Sequence, residues 1–243
     1  LDLAQTNVNI LKDITDKIVS KAPDATYIIV SNPVDVLTYA FCKYSGLPEE
    51  RIIGSGTVLD TARLRSRISE YYSVNQKNVH AYVLGEHGDS SFVPWSIANI
   101  SNVPIESYRN AVQGGTTYPE FDREEVENYV RKSGARVIQR KGATFYAVSV
   151  SVCHICKCLL SGIDTTMTVS TMMHGEYGVE DVCLSTLVLV DRSGVRGKIM
   201  NPLTEEEIEK VEEAVDAAID DSVEFAKNSP VPSLESALED IYA

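Results

Sequence analysis

No apolar run in this 243-residue chain approaches the roughly 18 to 20 residues that a membrane-spanning helix needs, and nothing resembles a signal peptide. A surplus of positive charge is also missing. The 22 lysines and arginines face 35 aspartates and glutamates, for a formal net charge of −13. Broad electrostatic attachment to nucleic acid needs a basic surplus, so that class of partner is excluded. Much of the acidity falls in residues 204–224, which leaves basic side chains elsewhere able to gather round an anionic ligand. Cysteine is scarce and odd in number, with five in a chain too long to need disulfide staples. Several lie in apolar helical sequence, which predicts reduced thiols and a cytoplasmic protein. Zinc-ligand spacings are absent. In Cys153-His154-Ile155-Cys156-Lys157-Cys158 a helix brings only pairs such as His154 and Cys158 to one face, so no metal is expected. Neither an internal repeat nor a Gly-x-Ser-x-Gly nucleophile elbow is found. The first residue is Leu1 rather than methionine, and its neighbours already follow a helical pattern, so a longer parent protein is expected.

What is present is a globular pattern, with 44% hydrophobic residues. Leu3, Val8, Leu11, Ile14 and Ile18 recur at helical spacing up to Ala22-Pro23, and an apolar strand, Tyr27 to Val30, follows. A second helix from Val34 to Tyr44 stops at Gly46, before a short strand from Arg51 to Ile53. Helices alternating with wholly apolar strands predict a parallel sheet covered on both faces. From Leu59 the character changes. A helix to Tyr72 precedes strands Val79 to Leu84 and Phe92 to Ile100, the latter interrupted by Pro94. A loop from Asn110 to Asp122 leads into a long helical region, Glu124 to Ser161, bent at Gly142. Strands Thr166 to Met172 and Val182 to Val190 come next. The closing helix is announced by Thr204 and Glu207 as a capping box, with Ile208, Val211, Val215, Ile219 and Val223 on one face. The fold class is therefore α/β: part of a doubly wound parallel sheet in residues 1–55, followed by an α+β domain in residues 56–243.

Three segments place polar side chains just beyond apolar strands. Gly85-Glu86-His87-Gly88-Asp89 puts an imidazole in a glycine-flanked turn after Ala81-Tyr82-Val83-Leu84. Ser31-Asn32-Pro33-Val34-Asp35 leaves the Asn32 amide at the carboxyl end of a strand, where doubly wound sheets gather ligand contacts. Asp60 and Arg63, three apart at a helix start, can reach one cleft. There Arg63 would grip a carboxylate through two parallel hydrogen bonds. Asp60 would orient the His87 imidazole and raise its proton affinity, so that His87 serves as acid or base near neutrality.

These motifs, with Ile53-Gly54-Ser55-Gly56-Thr57 and Ser90 after Asp89, resemble the 2-hydroxy-acid dehydrogenases of the lactate and malate type, from Leu1 to about Ala226. The resemblance implies an NAD-dependent oxidoreductase. In it Arg63 binds the substrate carboxylate, His87 exchanges the proton, Asp60 orients His87 and Asn32 contacts the reacting oxygen. Val30, Ser31, Asn32 and Ser55 would line the cofactor, and Thr144 would sit beside the substrate. Glu86 favours the lactate type, acting on pyruvate and L-lactate in anaerobic glycolysis; malate-type relatives usually carry glycine there. Arg65 and His80 resemble the phosphate ligands of a fructose 1,6-bisphosphate site found in allosteric bacterial members, which are homotetramers. The family's Gly-x-Gly-x-x-Gly turn, the acidic residue for the ribose and the loop bearing a second catalytic arginine are not in this sequence. Malate dehydrogenase, a hydrolase using Ser90 or Ser55 with His87, and a non-catalytic binding module remain as alternatives.

Overall fold

The computed structural model describes the backbone of residues 2–114 and 117–228, and the side chains of residues 6–114 and 117–216. Leu1 and the side chains of Leu3, Ile219 and Val223 lie outside the described residues.

Helix α1 (Asp2–Val19) packs on helix α2 (Val34–Ser45), and between them in sequence lies strand β1 (Tyr27–Ile29). The α2 helix buries Val34, Leu37, Ala40 and Phe41, and it stops where Gly46 takes the left-handed conformation, φ 63°. Strand β2 (Ile52–Gly54) then pairs with β1 in parallel, Tyr27 opposite Ile52. Close approach explains Gly54: a Cβ there would lie 2.4 Å from Thr38 Oγ1.

Among the described residues the parallel portion is limited to those two strands. Strand β6 (Thr165–His174) joins β2 antiparallel at Ser170 opposite Gly54, and β7 (Glu180–Asp191) and β8 (Gly194–Lys198) continue antiparallel. One mixed sheet of order β1-β2-β6-β7-β8 therefore runs across the expected division at residue 55. Small inward side chains, Ser170 and Ser185, let helix α3 (Val58–Tyr72) and its preceding turn sit close on this sheet.

The Val79 to Leu84 run is not one strand. Only β3 (Val79–His80) belongs to a ladder, pairing with β4 (Asn99–Ile100), which in turn pairs with β5 (Val103–Pro104). Further along, Leu84 bridges Phe92 and Gly85 bridges Ser185. Between these points side chains of α3 replace a neighbouring strand. Arg65 Nε donates to the Ala81 carbonyl at 3.0 Å, Thr61 Oγ1 accepts from the Val83 amide at 2.9 Å, and Thr57 Oγ1 donates to the Val83 carbonyl at 2.6 Å. Residues 57, 61 and 65 share one helix face, so a single stripe satisfies an extended segment that would otherwise bury unpaired backbone groups.

Pro94 likewise breaks the second strand, and a 3-10 turn at Trp95–Ile97 replaces its middle. Helix α4 (Ile105–Ala111) follows β5. The long helical region is three helices, α5 (Arg123–Arg131), α6 (Ser133–Lys141) and α7 (Tyr146–Ser161), with the expected glycine break at Gly142, φ 79°. Thr144 falls in the connection from α6 to α7, outside any helix. The capping box of helix α8 (Glu205–Asn228) is formed: the Glu207 amide donates to Thr204 Oγ1, and the Thr204 amide to Glu207 Oε2. Glu207 also accepts from the Ser96 amide at 3.0 Å, so the cap ties α8 to the turn after Pro94.

Candidate active site

Where the carboxyl ends of β1 and β2 meet α3, the turn around His87 and helices α5 to α7, a cavity of about 430 Å³ opens. Asn32, Ser55, Asp60, Arg63, His87 and Thr144 all line it, as does Val30. Ser31 is exposed and outside the lining, so the structure does not bring it to the site. Arg65 and His80 also lie outside it: Arg65 turns toward Ala81 and Tyr82, with its guanidinium carbon 5.0 Å from the Tyr82 ring centroid, and His80 is exposed on β3.

The centre is an ordered set of charges. His87 Nδ1 lies 2.7 Å from Asp60 Oδ2, and Arg63 Nη1 donates to Asp60 Oδ1 at 2.9 Å. Asp60 is 8% exposed, which removes it from the class of solvated helical pairs. Burial pushes the Asp60 carboxyl up, but the hydrogen bond and charge of His87, joined by Arg63, outweigh it and hold the group below its usual value. For His87 burial lowers proton affinity, while the bond and charge of Asp60 and the charge of Asp35 prevail and raise it. With Nδ1 engaged by Asp60, Nε2 is the nitrogen left for a ligand in the cavity. That is the arrangement of a general acid-base histidine beside a guanidinium able to bind an anion.

Sequence reading passed over Asp35, although it ends the Ser31-Asn32-Pro33-Val34-Asp35 motif. Its side chain is buried at the start of α2, and Oδ2 accepts the His87 main-chain amide at 2.7 Å. The other oxygen, Oδ1, has no hydrogen-bond partner. A carboxylate in the first turn of a helix, three residues after a cavity-lining Asn, marks the position but not its main-chain partner. Arg131, Ile138, Val148 and Ser151 also line the cavity and carried no motif at all. Ser90, the alternative nucleophile, donates to Glu86 Oε2 at 2.5 Å and is thereby committed away from His87. On α7, Cys158 Sγ lies 3.8 Å from His154 Nε2 as the helical spacing implies, and among the described residues no group of three or more potential metal ligands forms.

Two family models match. The NAD binding domain of lactate/malate dehydrogenase covers residues 1–54, and the alpha/beta C-terminal domain of the same proteins covers residues 57–226. The chain is 42% identical over 215 residues to an L-lactate dehydrogenase of Bacillus pumilus, covering 88% of this chain and 67% of that protein. It is 43% identical over 208 residues to one of Thermoanaerobacter sp., covering 86% and 66%. Among solved structures, an L-lactate dehydrogenase from Clostridium thermocellum superposes with a TM-score of 0.81 at 39% identity, over 89% of this chain and 70% of that one. A minor L-lactate dehydrogenase from Enterococcus mundtii, in a ligand-bound form, gives 0.82 at 34% identity, over 89% and 68%. The chain thus spans about two thirds of the length of the curated relatives it matches. Matched from residue 1 to residue 226 by the two successive domains of one family, and folded like its solved members, the chain belongs to the lactate/malate dehydrogenase family.

Proposed function

We propose that this protein is an NAD-dependent L-lactate dehydrogenase that interconverts pyruvate and L-lactate in the cytoplasm, as in anaerobic glycolysis. The observation that carries this reading is one cavity holding the Asp60–His87 pair, the Arg63 guanidinium and the Asn32 amide. In it, residues 1–55 supply the cofactor side and residues 56–243 the substrate side.

The residues present fit a nicotinamide group. Val30, Ile138 and Val148 give the cavity apolar wall, while Asn32 and Ser55 give polar edge. Gly56, at φ 47°, packs its backbone against the sheet, where a Cβ would lie 2.4 Å from Ser185 Oγ, and so keeps the turn after Ser55 close behind the cavity wall. Val30, Asn32 and Ser55 would hold the group, which when bound supplies or accepts the hydride.

The chain's own residues do the rest. Arg63 spends one N–H on Asp60 and keeps the others of its guanidinium for the substrate carboxylate, which fixes orientation as well as charge. In pyruvate reduction the protonated His87 gives its Nε2 proton to the carbonyl oxygen, and in lactate oxidation the neutral ring takes that proton back. Asp60 holds the tautomer through Nδ1 and stabilises the charged ring. Asn32 supports the same oxygen, and Thr144 sits against the substrate from the α6–α7 connection.

Steady-state turnover with NADH tests the reading: the full-length protein is expected to prefer pyruvate to oxaloacetate. A strong preference for oxaloacetate would replace it by malate dehydrogenase, and failure to reduce either would leave the non-catalytic alternative. We further propose that fructose 1,6-bisphosphate activates a homotetramer through Arg65 and His80. Support comes from their adjacency, since Arg65 donates to the carbonyl of the residue following His80. Arg65→Gln should weaken activation, and an unchanged activation curve would remove that site.

A further inference from the structure

Arg131 ends α5 and lines the same cavity as Arg63 and His87, with only 28% of its side chain exposed. Its Nε donates to the Ser91 carbonyl at 3.1 Å, and its Nη2 donates to Glu127 Oε2 at 2.8 Å. Glu127 is one helical turn earlier and is itself held, because Trp95 Nε1 donates to its other oxygen at 2.6 Å. A planar guanidinium fixed on two edges behaves as a rigid strut rather than a mobile charge.

What the strut braces is the catalytic turn. Ser91 is buried, and its amide donates to the Gly88 carbonyl at 3.3 Å, closing the turn of residues 88–91 that directly follows His87. Gly85, at φ 91°, is pinned to Ser185 by two main-chain hydrogen bonds, and beyond it Gly88 leaves the stretch around the histidine without a side chain to pack at that point. Asp35 holds it at the His87 amide, and Arg131 holds its far end. Asp60, paired with Arg63, holds the His87 ring rather than the main chain, the Leu84–Phe92 and Gly85–Ser185 bridges pin the base of the loop, and Glu86 and Asp89 belong to the turn itself.

We infer that Arg131 is a positioning residue: by fixing Ser91 it sets the place of the His87 turn, so that the ring meets Asp60 on one side and the substrate oxygen on the other. The inference rests on the dehydrogenase reading above. A displacement of the order of 1 Å in such a group costs roughly a hundredfold in rate, which makes an external brace consequential.

The test is Arg131→Met in the full-length protein, followed by NADH-dependent pyruvate reduction. Positioning implies a kcat lower by roughly tenfold or more, a KM for pyruvate within about twofold of the parent, and a pH midpoint moved downward as the His87–Asp60 pair loosens. Glu127→Gln weakens the strut without emptying space, and a smaller change in the same direction is expected; it decides the matter if Arg131→Met does not fold. Unchanged kcat and midpoint would overturn the inference, and so would a large rise in KM with kcat intact, which marks a direct substrate contact. If the parent reduces no 2-oxo acid, the dehydrogenase reading fails separately. Bracing is then judged by NMR titration of His87, which shifts in the Arg131→Met protein if the strut holds the turn and stays fixed if it does not.

Discussion

The main-chain amide of His87 donates to Asp35 Oδ2 at 2.7 Å, so one buried carboxylate holds the backbone of the residue whose ring a second carboxylate, Asp60, holds at the same distance. Burial pushes the Asp35 carboxyl up from 3.8 to about 6, against the pull of the hydrogen bond from the His87 amide and of the His87 charge. The folded state therefore keeps this proton where the unfolded chain has lost it, and stability falls as pH rises through that interval. The loss is roughly 3 kcal/mol at about 1.4 kcal/mol per pKa unit. In Asp35→Asn this part of the pH dependence should vanish. Thermal unfolding at acidic and neutral pH checks it, and a variant that keeps the full decline assigns the effect to another group.

Asp60 raises the proton affinity of His87, and on the proposed mechanism pyruvate reduction would consume the protonated ring. Activity in that direction should fall as pH rises through the His87 pKa. Replacing Asp60 by Asn removes the charge, so the midpoint moves to lower pH and kcat drops by roughly 10²- to 10⁴-fold. A pH–rate profile with an unmoved midpoint would separate Asp60 from the titration.

Arg63 offers a planar fork, and lysine offers a single ammonium. Arg63→Lys should raise the KM for pyruvate by about ten- to a hundredfold, the loss of one charge-assisted bond worth roughly 1.5 to 3 kcal/mol. Equal KM values for the two proteins would mean the substrate carboxylate binds elsewhere.

Thr61 accepts the buried Val83 amide, and its Oγ1 also lies 2.9 Å from Thr168 Oγ1. Thr61→Val keeps the shape and leaves that amide without an acceptor, at a cost of roughly 1 to 3 kcal/mol in denaturant unfolding. No measurable loss would show that the segment finds another partner.

The readable parts of the sequence were those whose cause is local. Helix α2 follows from its apolar face and Gly46, the α8 cap from Thr204 and Glu207, and the cavity set Asn32, Asp60, Arg63 and His87 from strand-end motifs that the fold gathers at one sheet edge. Ala81 to Val83 looked like ladder strand because its residues are apolar and extended, yet its bonds go to Thr57, Thr61 and Arg65, a pairing that only tertiary packing reveals. Asp35 and Arg131 were hidden for a related reason. Each acts on main-chain atoms of the His87 turn, and a main-chain partner leaves no signature in residue type.

Proton transfer by His87 to a small organic anion is tested most directly by kcat/KM for pyruvate as a function of pH, in the full-length protein beside its His87→Gln variant. The parent should lose activity with rising pH through a midpoint above 6.5, the ordinary histidine value. The variant should be slower by roughly 10²- to 10⁴-fold and lack that midpoint. A His87→Gln protein that keeps both the rate and the midpoint would contradict the assignment.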